Sequence, residues 1–340
     1  MDSLTQIVLG AAIGEVVAGK RLGNKAILWG AVGGTIPDLD ALMGPFVTDI
    51  QNLLWHRGPT HSLIFAFIMA PLFGWLLNQF YLKKDGPNRR TWNLLFFWTI
   101  FTHPLLDIFT NYGTELFWPF WDYRVAFNTI NVVDPIYTLP LLVVMVWILF
   151  LKRDKAFRRK LAWYALGISS LYLALTTINK FRVNAVVGDN IAALNLNAVD
   201  YMTVPSLGNN VLWTVLIQDS TGFYAGYYSI FDRNPQLELI YLPRAAQMEW
   251  LEPYEEDFRV RALQEFTKGY YTIEPAEGGG ILLNDLRFSP VRGWFFPYDP
   301  YIFAFSIREQ NGSVLIERNF PYFRPKGADF KRLYQRAKGN

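Results

Sequence analysis

The chain has 340 residues, no cysteine and only three histidines. The missing cysteines exclude disulfides and thiolate metal sites. Charge is also scarce. Asp, Glu, Lys and Arg make up 18% of the residues, against about 25% in ordinary soluble proteins. The net charge of +3 is small, and no nucleic-acid partner is needed to account for it. The amino end has no basic region ahead of its first apolar stretch and carries Asp2 there instead, which argues against a cleaved signal peptide. No internal repeat or low-complexity segment is evident.

What is abundant is apolar. Hydrophobic residues reach 51%, and the excess lies in the first 180 positions. There, Ser62–Leu82, Trp92–Thr110, Ile136–Leu151 and Leu161–Ile178 are long enough, or nearly so, to cross a hydrocarbon core of roughly 30 Å. Two shorter runs, Leu4–Ala18 and Ala26–Met43, precede them, as short spans or as a hairpin packed inside the bundle. Their Gly10-x3-Gly14 and Gly30-x3-Gly34 spacings put small residues on one helix face, which permits close helix contact. The expected first domain, residues 1–180, is therefore a membrane all-α bundle of about six spans, the first two short.

Thirteen of the sixteen Lys and Arg residues up to position 180 fall in three short loops that would share one side. These are Lys20, Arg21 and Lys25; Lys83, Lys84, Arg89 and Arg90; and Lys152, Arg153, Lys155, Arg158, Arg159 and Lys160. The positive-inside rule makes that side cytoplasmic. Six spans then leave both chain ends outside a bacterial or archaeal inner membrane.

Residues 181–340 read as a second domain on the outer side. Arg182–Asp200 is a helix or an irregular linker. Val211–Asp219, Gly222–Phe231, Leu237–Leu242 and Ile281–Phe288 have strand composition. Tyr254–Lys268 has helical spacing with paired charges. Tyr301–Glu309 and Ser313–Asn319 flank Gln310-Asn311-Gly312, a hairpin signal. The expectation is a small α+β domain with an antiparallel sheet and no catalytic motif.

The three histidines come with carboxylates, in Pro37-Asp38-Leu39-Asp40, His56-Arg57-Gly58-Pro59-Thr60-His61 and His103-Pro104-Leu105-Leu106-Asp107. Such groups are costly in or beside a bilayer unless they pair, bind metal or do chemistry. The charge-based topology gathers all of them at the outer face. His103 and Asp107 are four apart and share a helix face. His56 and His61 are separated by a Gly-Pro turn, which suggests a loop ligand and a second ligand in the first turn of the next helix, with Thr60 placed to cap it. Asp38 and Asp40 reach one cavity if their segment is irregular. Nitrogen and oxygen donors without sulfur suit a divalent ion, zinc first, with manganese or iron as alternatives. One ion or two fit the number of donors. Arg57 is placed to clamp a phosphate or other anion, and Asp38 or Asp40 to act as general base. Glu15 reads as a structural partner in the bundle, Asp134 as an N-cap, and Trp55, Trp118 and Trp121 as an aromatic belt.

At these residues the chain resembles the inner-membrane, metal-dependent hydrolases of the YdjM type. The resemblance runs through Met1-Asp2-Ser3-Leu4-Thr5-Gln6, the Gly-rich helix closing in Pro37-Asp38-Leu39-Asp40, His56-Arg57-Gly58-Pro59-Thr60-His61-Ser62 and His103-Pro104-Leu105-Leu106-Asp107. It continues through Tyr112-Gly113-Thr114, Asp134-Pro135 and Asn209–Val215. Some relatives carry His after Thr near the amino end, where this chain has Gln6. The resemblance implies a multi-pass membrane protein with metal-dependent hydrolase activity, distantly similar to zinc-dependent phospholipases C and single-strand nucleases.

The combined expectation is a membrane-embedded hydrolase whose metal is held by His56, His61, His103 and Asp107 with Asp38 and Asp40. It would act on an ester or phosphoester of a lipid-linked or amphipathic substrate, with membrane lipids as its surroundings. Two other readings compete with it. An ion-coupled transporter needs polar groups toward both faces, and the cytoplasmic half offers mainly Glu15. A scaffold with a structural metal would have a closed four-ligand site.

Overall fold

The computed structural model describes residues 1–81, 87–153, 156–244, 248–276, 279–295, 298–320 and 326–339. Leu82, Lys83, Lys84 and Lys155, used above for spans and charge bias, lie outside the described residues. The chain divides into two compact units. One comprises Met1–Met43, Trp55–Thr177 and Leu207–Asn209, and the other Gly44–Leu54, Ile178–Ser206 and Asn210–Asn340.

The first unit is helical. Helices α1 (Ser3–Leu22) and α2 (Asn24–Thr35) form a hairpin that turns at Gly23, in the left-handed region. They approach along the small-residue stripe. A Cβ on Gly10 would stand 2.3 Å from the Gly30 carbonyl oxygen, and one on Gly14 2.2 Å from that of Ala26. Only glycine allows this backbone approach. A 3-10 stretch, Pro37–Phe46, follows, and helix α3 (Asp49–Trp55) falls in the second unit except for Trp55. Helix α4 (Leu63–Phe80) is capped by Ser62, whose Oγ accepts from Phe65 N. Helix α5 (Arg89–Asp107) runs back beside it, and Ala66, Ala70, Trp92, Leu95, Phe96 and Ile100 form their shared core. Asp134 caps α6 (Pro135–Leu149), accepting from Ile136 N at 2.9 Å. Helix α7 (Ala156–Ala193) opens with Arg158, which makes a buried two-oxygen pair with Glu15 at 3.0 and 2.8 Å.

The six-span expectation is corrected by this arrangement. Helices occupy all six apolar runs, but among the described residues only α4 and α7 are long and apolar enough to cross a membrane. At 1.5 Å per residue, the 12 residues of α2 and the 15 of α6 reach only about 18 and 22 Å. Helices α1 and α5 are longer but too polar. They carry Glu15, Lys20 and Arg21, and Arg89, Arg90, His103 and Asp107, and they bury much of their surface within the unit.

The second unit also departs from expectation: two antiparallel sheets stand where one was foreseen. The first contains β1 (Asp200–Pro205), β2 (Leu212–Gln218), β3 (Gly222–Ser229) and β4 (Leu239–Pro243), in that order. Val183 and Val187 of α7 pack on Trp213, Val215 and Ile217 of its central strand, so the 182–200 segment is mostly helix. Short helices α8 (Met248–Leu251) and α9 (Phe258–Phe266) lead to the second sheet. That sheet orders β5 (Tyr271–Pro275), β6 (Ile281–Asp285), β7 (Ala304–Gln310) and β8 (Ser313–Asn319). Asn311 and Gly312 join the last two strands with φ of 54° and 75°, the two-residue hairpin that Asn-Gly favours. Leu216, Phe223, Tyr270 and Leu286 form a core shared by the two sheets. Helix α10 (Gly327–Ala337) follows β8.

Candidate metal centre

Three pieces of the first unit meet at one end of α4 and α5. After α2, the 3-10 stretch brings Asp38 and Asp40 inward. Arg57, at φ 62°, reverses the chain between His56 and a short 3-10 turn, Pro59–His61. His103 and Asp107 lie one turn apart at the end of α5. His61, His103 and Asp107 are buried, whereas Asp38, Asp40 and His56 are partly buried.

His61 Nε2 and His103 Nε2 face each other at 3.1 Å. Asp38 Oδ1 lies 3.3 Å from the first and 3.4 Å from the second. Asp107 Oδ2 is 3.5 Å from both. Asp40 sits behind, with Oδ1 3.0 Å from His56 Nδ1. Its Oδ2 accepts from Thr60 Oγ1 at 3.0 Å and from Arg57 N at 3.3 Å.

The outer hydrogen bonds fix the tautomers. Thr60 donates its hydroxyl proton to Asp40, so His61 Nδ1, 3.0 Å from that hydroxyl, must be the donor to it. His103 Nδ1 is 2.6 Å from the Gly34 carbonyl, which can only accept. With both Nδ1 atoms donating outward, the two Nε2 atoms face each other and two carboxylate oxygens. Burial opposes a second proton on His103, but Asp107 and Asp38 outweigh it and raise that imidazole to about 9, so it carries the proton at pH 7. Asp107 Oδ2 is buried with no hydrogen-bond partner. A single positive charge between these four atoms, the His103 proton or a bound cation in its place, completes the set.

The neighbouring groups respond to this charge. Burial pushes the Asp38 carboxyl up, but the His103 and His61 imidazoles outweigh it and hold the group well below the usual carboxylate range. Burial likewise raises Asp40, and His56 with His61 and Thr60 brings it below its ordinary value. Burial lowers His61 to about 4, against the pull of Asp38, so it is neutral at pH 7. Separations of 3.1, 3.3 and 3.4 Å among His61 Nε2, His103 Nε2 and Asp38 Oδ1 suit donors held about 2.0–2.2 Å from one zinc-sized ion. Asp38, Asp40 and His56 also have donor atoms within 4.8 Å of one another.

The remaining flagged residues fall into place around this cluster. Arg57 is buried, with Nε 3.4 Å from Asp107 Oδ2 and Nη1 donating to Thr110 Oγ1 at 2.8 Å. Its guanidinium lies over Tyr112. Gln6 joins the site by donating to Asp107 Oδ1 at 3.0 Å and to the His103 carbonyl at 3.2 Å. The Met1 amino group also contacts Asp107 Oδ1. Asp2 does not join, because it caps α1 through Thr5 N. Asp134 caps α6 and accepts from Tyr172 OH. The α4 cap is Ser62 rather than Thr60, whose hydroxyl is taken by Asp40. Sequence reasoning missed Thr60 as a relay and the Gly34 carbonyl as an acceptor. Only the Gly-rich end of α2 hinted that a backbone group there is open to a neighbour.

The sequence profile of the YdjM inner membrane protein family matches residues 1–183. That stretch holds every residue of the cluster and ends before Asn209–Val215. The chain belongs to this family and is an inner membrane protein. The uncharacterized protein YfhP of Bacillus subtilis (strain 168) is 28% identical over 155 residues, 43% of this chain and 46% of YfhP. The inner membrane protein YbcI of Escherichia coli (strain K12) is 29% identical over 123 residues, 36% of this chain and 69% of YbcI. The chain thus spans less than half the length of YfhP. No solved structure matches.

Proposed function

We propose that this member of the YdjM inner membrane protein family is a metal-dependent hydrolase acting on an ester or phosphoester of a lipid-linked or amphipathic substrate. The observation that carries the reading is the convergence of two imidazole Nε2 atoms, whose Nδ1 atoms are engaged outward, with two carboxylate oxygens around one exchangeable proton. His61, His103, Asp38 and Asp107 would hold a divalent ion, zinc first, with manganese or iron as alternatives. When bound, such an ion supplies Lewis acidity and makes water nucleophilic near neutral pH.

The chain's own groups divide the remaining work. Gly34 and the Thr60–Asp40 relay orient the two imidazoles, as outer hydrogen bonds do around metal-ligating histidines. Arg57 balances the charge of Asp107 and keeps that carboxylate in place. Asp40 holds His56, the most exposed of the three imidazoles, with 27% of its side chain accessible. That pair is suited to take or return a proton as general acid and base. A second reading, two ions sharing Asp38, is favoured by the Asp38–Asp40–His56 grouping. The transporter reading loses its cytoplasmic group, because Glu15 is neutralised by Arg158.

The protein would cross the membrane more than once, with the site on the outer side. Arg21 reaches Thr91 at 3.2 Å and Arg153 reaches the Lys20 carbonyl at 3.1 Å. The basic turns thus gather at the end of α4 and the start of α5, the opposite ends of these helices from the histidines, and basic ends stay cytoplasmic.

Metal analysis of protein purified without chelator tests the reading, beside His61→Ala and Asp107→Asn. We expect one or two transition-metal ions per wild-type chain and loss in both variants; a metal-free wild type removes the basis of the proposal. With metal present, turnover of a lipid phosphoester should require His61 and fall strongly in His56→Ala, which keeps its principal ion. Turnover indifferent to His61 would leave the metal a structural part.

A further inference from the structure

The segment after α5 exposes an unusual amount of aromatic surface. Phe117, Trp118, Phe120, Trp121 and Tyr123 fall within seven residues, and all are exposed, Phe120 by 86%. The rings form an ordered patch, with Phe117 stacked on Trp121 and Trp121 on Tyr123 at centroid distances of 6.0 and 5.1 Å.

The base of this loop is bonded to two things that matter. Leu63, the first residue of α4, donates its N–H to the Leu116 carbonyl at 3.0 Å. Helix α4 is one of the two described helices long and apolar enough to cross a membrane, and this bond holds the loop level with its first residue. The loop is also tied to the candidate metal centre. Glu115 N donates to the Arg57 carbonyl at 2.9 Å, and Arg124 Nη1 to the His56 carbonyl at 3.0 Å. Arg124 and Glu115 pair at 2.9 Å across the neck of the loop.

We infer that Phe117–Tyr123 is seated in the lipid interface and carries the rim of the His56–His61 site with it, so that a bilayer-resident lipid enters the site sideways. Trp and Tyr prefer this zone because each has an apolar body and a polar tip. Five solvated rings on one short loop would be costly to an isolated soluble surface. The sideways entry rests on the hydrolase reading; the seating of the loop does not.

The absence of cysteine makes the test direct. Phe120→Cys carries a nitrobenzoxadiazole probe in vesicles of phosphatidylethanolamine and phosphatidylglycerol. Asn311→Cys, on the exposed β7–β8 turn, gives the aqueous reference. We expect the Phe120 probe to be quenched by lipids spin-labelled near the headgroup and to be several-fold less sensitive to iodide than the reference. Equal iodide sensitivity with no lipid quenching overturns the seating. The double variant Phe120→Ser/Trp121→Ser should then lose most turnover of a vesicle-borne lipid phosphoester while keeping that of water-soluble bis(p-nitrophenyl) phosphate. Equal loss on both substrates overturns sideways entry. A wild type inactive on both refutes the hydrolase reading, while the quenching result still decides the loop.

Discussion

Two buried charged clusters lie in the same helical unit and differ in one respect. Glu15 has both carboxylate oxygens bonded by the Arg158 guanidinium, which is further held by Asn24 and the Leu151 carbonyl. That pair is complete within the chain. The histidine cluster is not: one exchangeable proton on His103 closes its inward side, and Asp107 Oδ2 has no hydrogen bond. Burying a charge is tolerated when it is paired and hydrogen-bonded. The first cluster meets that condition with protein atoms alone. The second meets it only when a cation or a proton arrives, which separates a structural pair from a candidate binding site.

The contrast is broken most severely by removing one partner of the complete pair. Arg158→Met should destabilise the protein by about 3–5 kcal/mol, because Glu15 is left buried and uncompensated. Adding Glu15→Gln should recover much of that loss. Thermal unfolding in detergent reads both, and an Arg158→Met variant as stable as wild type would show that Glu15 is not buried as described.

Metal titration is the next largest effect. Zinc at a hundred times its dissociation constant should stabilise the wild type by about 2.7 kcal/mol. Asp38→Asn should abolish this response without harming the metal-free protein, since an amide N–H can stand in for the His103 proton when the Asp38 charge is removed. A variant with the Glu15 pair altered should still respond. If Asp38→Asn destabilised the metal-free protein as strongly as Arg158→Met does, the two clusters would be of one kind.

Thr60→Val probes the relay more gently. Losing the link between His61 Nδ1 and Asp40 should weaken metal binding about 10–100-fold and leave stability nearly unchanged. Competition with a chelator of known affinity measures it, and unchanged affinity would leave Asp40 as a spectator.

Much of the site was legible because its parts are local. The four-residue spacing of His103 and Asp107 follows from helix geometry. The turn between His56 and His61 follows from Gly58 and Pro59. The close crossing of α1 and α2 is written in Gly10, Gly14 and Gly30. What was not legible depends on groups far apart in the chain. Gln6 reaches Asp107, and His103 leans on the Gly34 carbonyl, across distances no local pattern encodes. Strands β1 and β5 were not read from the sequence; each is defined by antiparallel pairing with a partner strand, β2 and β6. The sequence left Arg182–Asp200 open between helix and linker; the continuation of α7 to Ala193 is settled by its apolar face meeting Trp213 and Val215 of a sheet.

By itself, then, the sequence determined that helices occupy the six apolar runs, which residue types carry the chemistry, and that an apolar amino-terminal half precedes a mixed carboxy-terminal one, since these depend on composition and short-range periodicity. The structure decided where each helix begins and ends, and with its composition this limits the candidate spans among the described residues to α4 and α7. It also decided which imidazole nitrogens face inward, because a tautomer is set by the partner on the other side of the ring.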